Sequence, residues 1–203
     1  MKTLLFLLAC LLGGCAHPID AEPIDGEPVQ KIAHPPLVLA VQVSDRFEAY
    51  RGYDYTAAIV AAAEQWQRAT AGRVQVSVQV TDSLAATGVQ VRPATAGDVR
   101  DQLIEGWQLG SATHTGADSA LVLLNGGTIG QRSAEKGVPF EQIAEMTALH
   151  EFGHVLGLGH AERGLMYPTN AHDAPACIDA TTLAAFCQLH GCPPEAAPTC
   201  EQQ

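Results

Sequence analysis

Positive charge is scarce in this chain. It carries three lysines in 203 residues, and 11 Lys and Arg stand against 22 Asp and Glu for a net charge of −11. An isoelectric point near 5.0 argues against nucleic acid or anionic membrane surfaces as partners. Such an acidic surface is otherwise an ordinary route to solubility. The apolar run Leu4–Leu12 is too short for a transmembrane span. No cysteine lies between Cys15 and Cys177, and no linker or shift in composition divides the chain after Pro36. The 167 residues that follow Pro36 suit one domain with a single substantial core.

The start of the chain reads as a leader. Met1-Lys2-Thr3 before Leu4–Leu12 is a charged end ahead of a short apolar run, the pattern of a signal peptide. It ends in Leu12-Gly13-Gly14-Cys15, which resembles the bacterial lipobox. That resemblance implies removal of residues 1–14, acylation of Cys15, and export to the outer membrane, because alanine follows at position 16. Leu7-Leu8-Ala9-Cys10 fits the same pattern but leaves a very short apolar region, and plain secretion is the alternative. Two or more acyl chains would hold the protein stably on a membrane. Residues 15–36 contain five prolines and a five-residue repeat, Pro18-Ile19-Asp20-Ala21-Glu22 then Pro23-Ile24-Asp25-Gly26-Glu27. Such a segment buries no core and reads as an extended tether, with a short propeptide across the cleft as the competing reading.

One motif constrains the chemistry far more tightly than anything else. His150-Glu151-Phe152-Gly153-His154-Val155-Leu156-Gly157-Leu158-Gly159-His160 reads H-E-x-x-H-x-x-G-x-x-H. His150 and His154 are four apart, so a helix stacks them one turn above the other on one face. Their ring nitrogens can then share one zinc ion at about 2.0–2.1 Å. Glu151 lies about 100° around the helix, too far to be a ligand beside them but able to reach a water held by the metal. Gly157 can take the left-handed backbone that ends the helix and turns His160 back as third ligand. Three protein ligands leave the fourth position open, as in catalytic zinc sites. Upstream, Val138-Pro139 offers a helix start, with Glu141 and Glu145 near its positive end. Ile143, Thr147, His150 and His154 form a stripe expected to face the cleft. Met146, Leu149, Gly153 and Leu156 form one expected to face the core.

These residues resemble the metzincin clan of zinc endopeptidases. Leu165-Met166-Tyr167-Pro168 follows at short range and resembles the Met-turn, which implies that Met166 packs as an apolar base beneath the imidazoles. The M-Y-P reading is similar to that of matrixins within the clan. The resemblance is specific over His150–Pro168 and weaker over Ile178–Gly191, which is similar to the family's last helix. Tyr167 is adjacent to the methionine rather than two residues beyond it, so it is not assigned to the metal. The resemblance implies hydrolysis of protein or peptide substrates by a monomer with one catalytic Zn²⁺ on His150, His154 and His160. It implies Glu151 as general base. The alternative is a non-catalytic zinc-containing surface lipoprotein that serves as a binding module.

Some features depart from matrixins. Five residues separate His160 from Met166, a shorter gap than is typical, and no cysteine-bearing inhibitory propeptide is visible. The His/Asp-rich loops that hold structural zinc or calcium are missing. His114 and Asp118 are the nearest candidates and read as a solvated loop. Cys177, Cys187, Cys192 and Cys200 all fall in the last 27 residues. In an exported chain they imply two disulfides among three possible pairings, with a second zinc site as competitor.

The remaining pattern predicts an α+β domain over residues 37–203, with a twisted mixed sheet, an active-site helix and a C-terminal helix. Strands are expected at Leu37–Val43, Val74–Val80, Val89–Arg92 and Ala120–Leu124, and a helix at Tyr55–Ala69. Asp98–Trp107 reads as helix or loop. From Asn125-Gly126-Gly127 to Gly137 the glycines predict a loop.

Overall fold

Alternation of apolar residues decides which face of the sheet is covered. In β1 (Leu37–Ser44) the side chains of Leu37, Leu39, Val41 and Val43 are buried while Val38 is exposed. A computed structural model of the chain describes residues 37–46, 53–85, 87–168 and 175–200. Within them β1 is followed by α1 (Tyr55–Ala69), β2 (Val74–Thr81), β3 (Gly88–Pro93) and the short α2 (Ala96–Arg100). Then come β4 (Gly110–Gly116), β5 (Ser119–Leu124), α3 (Gly126–Lys136), α4 (Phe140–Val155) and α5 (Ala180–His190). The architecture is α+β, as the sequence implies.

The five strands form one mixed sheet in the order β2-β1-β3-β5-β4. β1 runs parallel to β2, in register from Leu37↔Val74 to Ser44↔Thr81, and α1 makes the crossover between them. β3 is parallel to both β1 and β5. β4 alone is antiparallel, pairing Gly110 with Leu124 and His114 with Ala120 at the sheet edge. The sequence reading missed β4 because Gly-Ser-Ala-Thr-His-Thr-Gly has no alternation of apolar side chains. Pairing with the apolar β5 makes it a strand, and tertiary contact overrides weak local preference.

A second correction concerns the glycine-rich run after Asn125, which is the eleven-residue helix α3 rather than a loop. The Asn125 side chain accepts from Thr128 N at 3.3 Å, and Gly137 closes the helix with φ +66°. Gly126 and Gly127 occupy only its first turn. Ile129 is its one large buried side chain, so no apolar stripe announces it.

α4 runs through the interior. Twelve of its sixteen residues are buried, which fits a helix apolar on most sides. The first half of the stripe expected at the cleft is covered instead: Ile143 and Thr147 are 0% and 3% exposed. The ring nitrogen of Trp66 on α1 donates to the Leu149 carbonyl of α4 at 3.1 Å, in the buried interface between the two helices. Gln65 adds a polar tie, donating to Glu145 Oε1 at 2.6 Å and to the Ala176 carbonyl at 2.8 Å. The C-terminal cysteines form Cys177–Cys200 and Cys187–Cys192, one of the three pairings the sequence left open. No helix among the described residues is long and apolar enough to cross a membrane.

Candidate metal centre

The end of α4 builds the site. Gly157 N donates to the His154 carbonyl and Leu158 N to the Gly153 carbonyl, both at 2.9 Å. This paired closure needs a left-handed residue, and Gly157 has φ +88°. The chain then doubles back and carries His160 to the two helical histidines. One ligand nitrogen from each of His150, His154 and His160 lies within 4.8 Å of the others. Among the described residues this is the one group of His, Cys, Asp and Glu that could hold a metal ion.

Hydrogen bonds set the tautomers. His150 Nδ1 lies 2.7 Å from the Leu165 carbonyl and His154 Nδ1 lies 2.8 Å from the Leu158 carbonyl. A carbonyl can only accept, so each Nδ1 carries the proton and each Nε2 is left with its lone pair. Those two Nε2 atoms are 3.0 Å apart. Two lone pairs facing each other at that distance repel unless a cation joins them. Ligands of a tetrahedral zinc ion lie about 3.3 Å apart, so the donor set fits one. Burial and then the neighbouring His154 imidazole hold the His150 pKa down at about 3, against a smaller upward pull from the Leu165 carbonyl. Burial lowers His154 and His160 as well. Neutral imidazoles are the form a metal takes. His150 is buried, His154 half-buried and His160 exposed, so the cluster opens to solvent on the His160 side.

Glu151 occupies a buried slot against β4. A Cβ at Gly110 would lie 2.7 Å from both Glu151 Oε1 and Thr147 Cγ2, so only glycine lets the strand come this close. Burial pushes the Glu151 carboxyl up to about 8. Met166 is 2% exposed and lies under the helix, where its sulfur would stand 2.5 Å from a Cβ at Gly153. Beside it a groove of about 390 Å³ is lined by Met146, Leu165, Tyr167, Asp179 and the Cys177–Cys200 disulfide.

The remaining sequence candidates divide. Of the pair expected in a solvated loop, Asp118 lies exposed in the turn between β4 and β5, whereas His114 lies on strand β4 with both ring nitrogens buried and without a hydrogen-bond partner. Cys10, Cys15 and the tether lie outside the described residues. Sequence reasoning missed Gly110, because β4 was not recognised, and Asp179. The signal for Asp179 was present, an acidic residue just ahead of Thr182, Leu183 and Phe186.

Comparison with known proteins gives a family. No curated protein matches the chain. Among solved structures, the GM1-bound form of the ECX AB5 holotoxin is similar at 12% identity, over 79% of this chain and 75% of that one, with a TM-score of 0.42. Metalloproteinase-II from Bacteroides fragilis is similar at 13% identity with a TM-score of 0.47, over 84% of this chain. The chain spans 59% of the length of that enzyme. The matrixin family model matches residues 53–190, from two residues before α1 through the histidine turn to the last residue of α5. With that match covering more than half its length, the chain belongs to the matrixin family.

Proposed function

We propose that the protein is a zinc-dependent endopeptidase with His150, His154 and His160 as ligands and Glu151 as general base. One observation carries this reading. Two imidazole lone pairs converge at 3.0 Å, and the residue after His150 on the same helix is a buried carboxyl. Zinc bound there supplies Lewis-acid chemistry: it polarises a peptide carbonyl and acidifies water toward a pKa of about 7. Only the ionised carboxylate can take a proton from water and return it to the leaving amine, and a zinc ion beside Glu151 would favour that form. Gly110 lets β4 pack directly against the Glu151 and Thr147 side chains, which limits the room in which the carboxyl can move. Met166 supports the helix from beneath.

The test uses the purified full chain, metal analysis and a peptide library. Wild-type protein should bind one zinc and cleave, with cleavage lost to a chelator. Glu151→Ala should retain zinc and lose turnover by 100-fold or more, about the lower range for a general base. Zinc binding without cleavage of any peptide would instead favour the binding-module alternative. Normal turnover in Glu151→Ala would remove the base assignment.

The reading extends to the N-terminal segment. We propose residues 1–14 as a leader, Cys15 as the lipidated residue and residues 15–36 as the tether of a monomeric outer-membrane lipoprotein. Leu12-Gly13-Gly14-Cys15 supports this, and two disulfides suit an oxidising compartment. Metabolic labelling with a fatty acid tests it: Cys15→Ala should lose the label and Cys10→Ala should keep it.

A further inference from the structure

We propose that Asp179 is a positioning residue that fixes the orientation of His150 through Leu165. This rests on the zinc reading of the three histidines. The two oxygens of Asp179 have different partners. Oδ1 accepts from Thr181 N at 2.9 Å and Thr182 N at 3.0 Å, which caps α5. Oδ2 accepts from Thr182 Oγ1 at 2.8 Å and, fourteen residues back along the chain, from Leu165 N at 2.7 Å. The carbonyl of that same Leu165 receives His150 Nδ1 at 2.7 Å. Leu165 is therefore gripped at its N–H by the carboxylate and at its C=O by the imidazole.

Capping α5 needs only one oxygen. The other reaches the loop that carries the carbonyl partner of the first histidine. That loop is shaped around the carboxylate: a Cβ at Gly164 would lie 2.5 and 2.7 Å from its two oxygens, and Gly164 has φ +80°. Burial opposes ionisation of Asp179, but the hydrogen bonds from Leu165, Thr182 and Thr181 outweigh it and hold the carboxyl below its ordinary value.

The arm is anchored at its far end. Ile178 N donates to Thr199 Oγ1 at 2.8 Å, and Thr199 N returns a bond to the Ile178 carbonyl at 2.9 Å. Thr199 Oγ1 donates in turn to Gln65 Oε1 on α1 at 2.6 Å, and Cys177–Cys200 closes the same segment. A fixed path thus runs from α1 through the C-terminal segment to Asp179, Leu165 and His150. Groups that orient a ligand histidine govern metal affinity, because a ring free to rotate must be ordered when the ion binds.

The test separates positioning from helix capping. Serine is a good cap but too short to reach Leu165, so Asp179→Ser keeps the first role and loses the second. Asp179→Ala loses both. Zinc dissociation constants of the full chain are measured by chelator competition well below every unfolding midpoint, with unfolding midpoints recorded in parallel. The expected result is a midpoint largely restored in Asp179→Ser relative to Asp179→Ala. Zinc binding should be about tenfold weaker than wild type in both, the lower end for residues that support a ligand. The cobalt-substituted visible spectrum should also change in Asp179→Ser. Wild-type zinc affinity and an unchanged cobalt spectrum in Asp179→Ser would overturn the positioning role and leave the zinc reading standing. A wild-type chain that binds no zinc would overturn both. Should Asp179→Ala fail to fold, the comparison of Asp179→Ser with wild type decides.

Discussion

Gly153 lies between the two histidines of α4, and adding a methyl group there tests how the site is supported from below. Its Cβ would stand 2.5 Å from the Met166 sulfur, 3.0 Å from the Met166 methyl carbon and 3.5 Å from Trp66 Cζ2. Comfortable contact between non-bonded carbons is about 3.5–4.0 Å, so the thioether would have to retreat by roughly 1 Å. Two effects compete. Alanine in place of a helical glycine is favoured by about 1 kcal/mol. Overpacking a filled core costs about 1–3 kcal/mol. Met166 is 2% exposed and Trp66 0%, so neither has open space behind it, and the steric cost should win.

We expect Gly153→Ala to lose about 1 kcal/mol, a fall in midpoint of about 2–4 °C for a domain of this size. Removing the obstacle should reverse the sign. In a Met166→Ala background, where there is room for the methyl group, Gly153→Ala should gain about 1 kcal/mol from helix preference. The double-mutant cycle then shows a coupling of about 2 kcal/mol. The assay is thermal and urea unfolding of the four proteins, stripped of metal and loaded with zinc. A raised midpoint for Gly153→Ala in the wild-type background, or additive effects in the cycle, would refute this account of the packing.

Three further outcomes are expected. In metal-free protein, Glu151 has an unfolded value of 4.5 and a folded value of about 8, so folding favours its protonated form. The stability this confers is present below 4.5 and is lost as pH rises toward 8. Glu151→Gln should therefore gain in midpoint over wild type across that window, and a pH-independent difference would count against it. Asp98 is held well below the usual carboxylate range, first by hydrogen bonds from the Arg92 guanidinium. Asp98→Ala should cost about 2 kcal/mol in urea unfolding at pH 7, less than a fully buried pair because Arg92 is partly exposed. The cost should shrink as pH falls below 3.8, and a cost unchanged at pH 2 would exclude the ion pair as its source. Finally, Cys177–Cys200 closes a span of 23 residues and Cys187–Cys192 one of 5. Loop entropy makes loss of the longer bridge worse by about 1.4 kcal/mol, which paired Cys→Ala variants can compare by calorimetry.

How much could be read in advance depended on how local the signal was. α1 lies at the expected residues because its alanines and Ile59, Ala62, Ala63 and Trp66 declare a helical face within one segment. Gly157 ends α4 as expected because a left-handed turn is a property of that residue and its neighbours. β4 and α3 escaped because their reasons are not local. β4 is a strand only through its pairing with β5, and α3 has one large buried anchor, Ile129. The stripe of Ile143 and Thr147 was placed at the cleft, yet both are covered, since periodicity identifies a face without saying what packs on it.

The sequence by itself determined which three histidines converge. Spacings of four and six residues around a helix end commit His150, His154 and His160 to one point, because helix geometry and one glycine turn leave little freedom. Only the tertiary structure decided what surrounds that set. The Leu165 and Leu158 carbonyls assign the tautomers, β4 buries Glu151 behind Gly110, and Asp179 reaches Leu165 across the fold. Each of these contacts joins residues set by different elements, so their distances follow from how helices, sheet and disulfide-bound tail pack together.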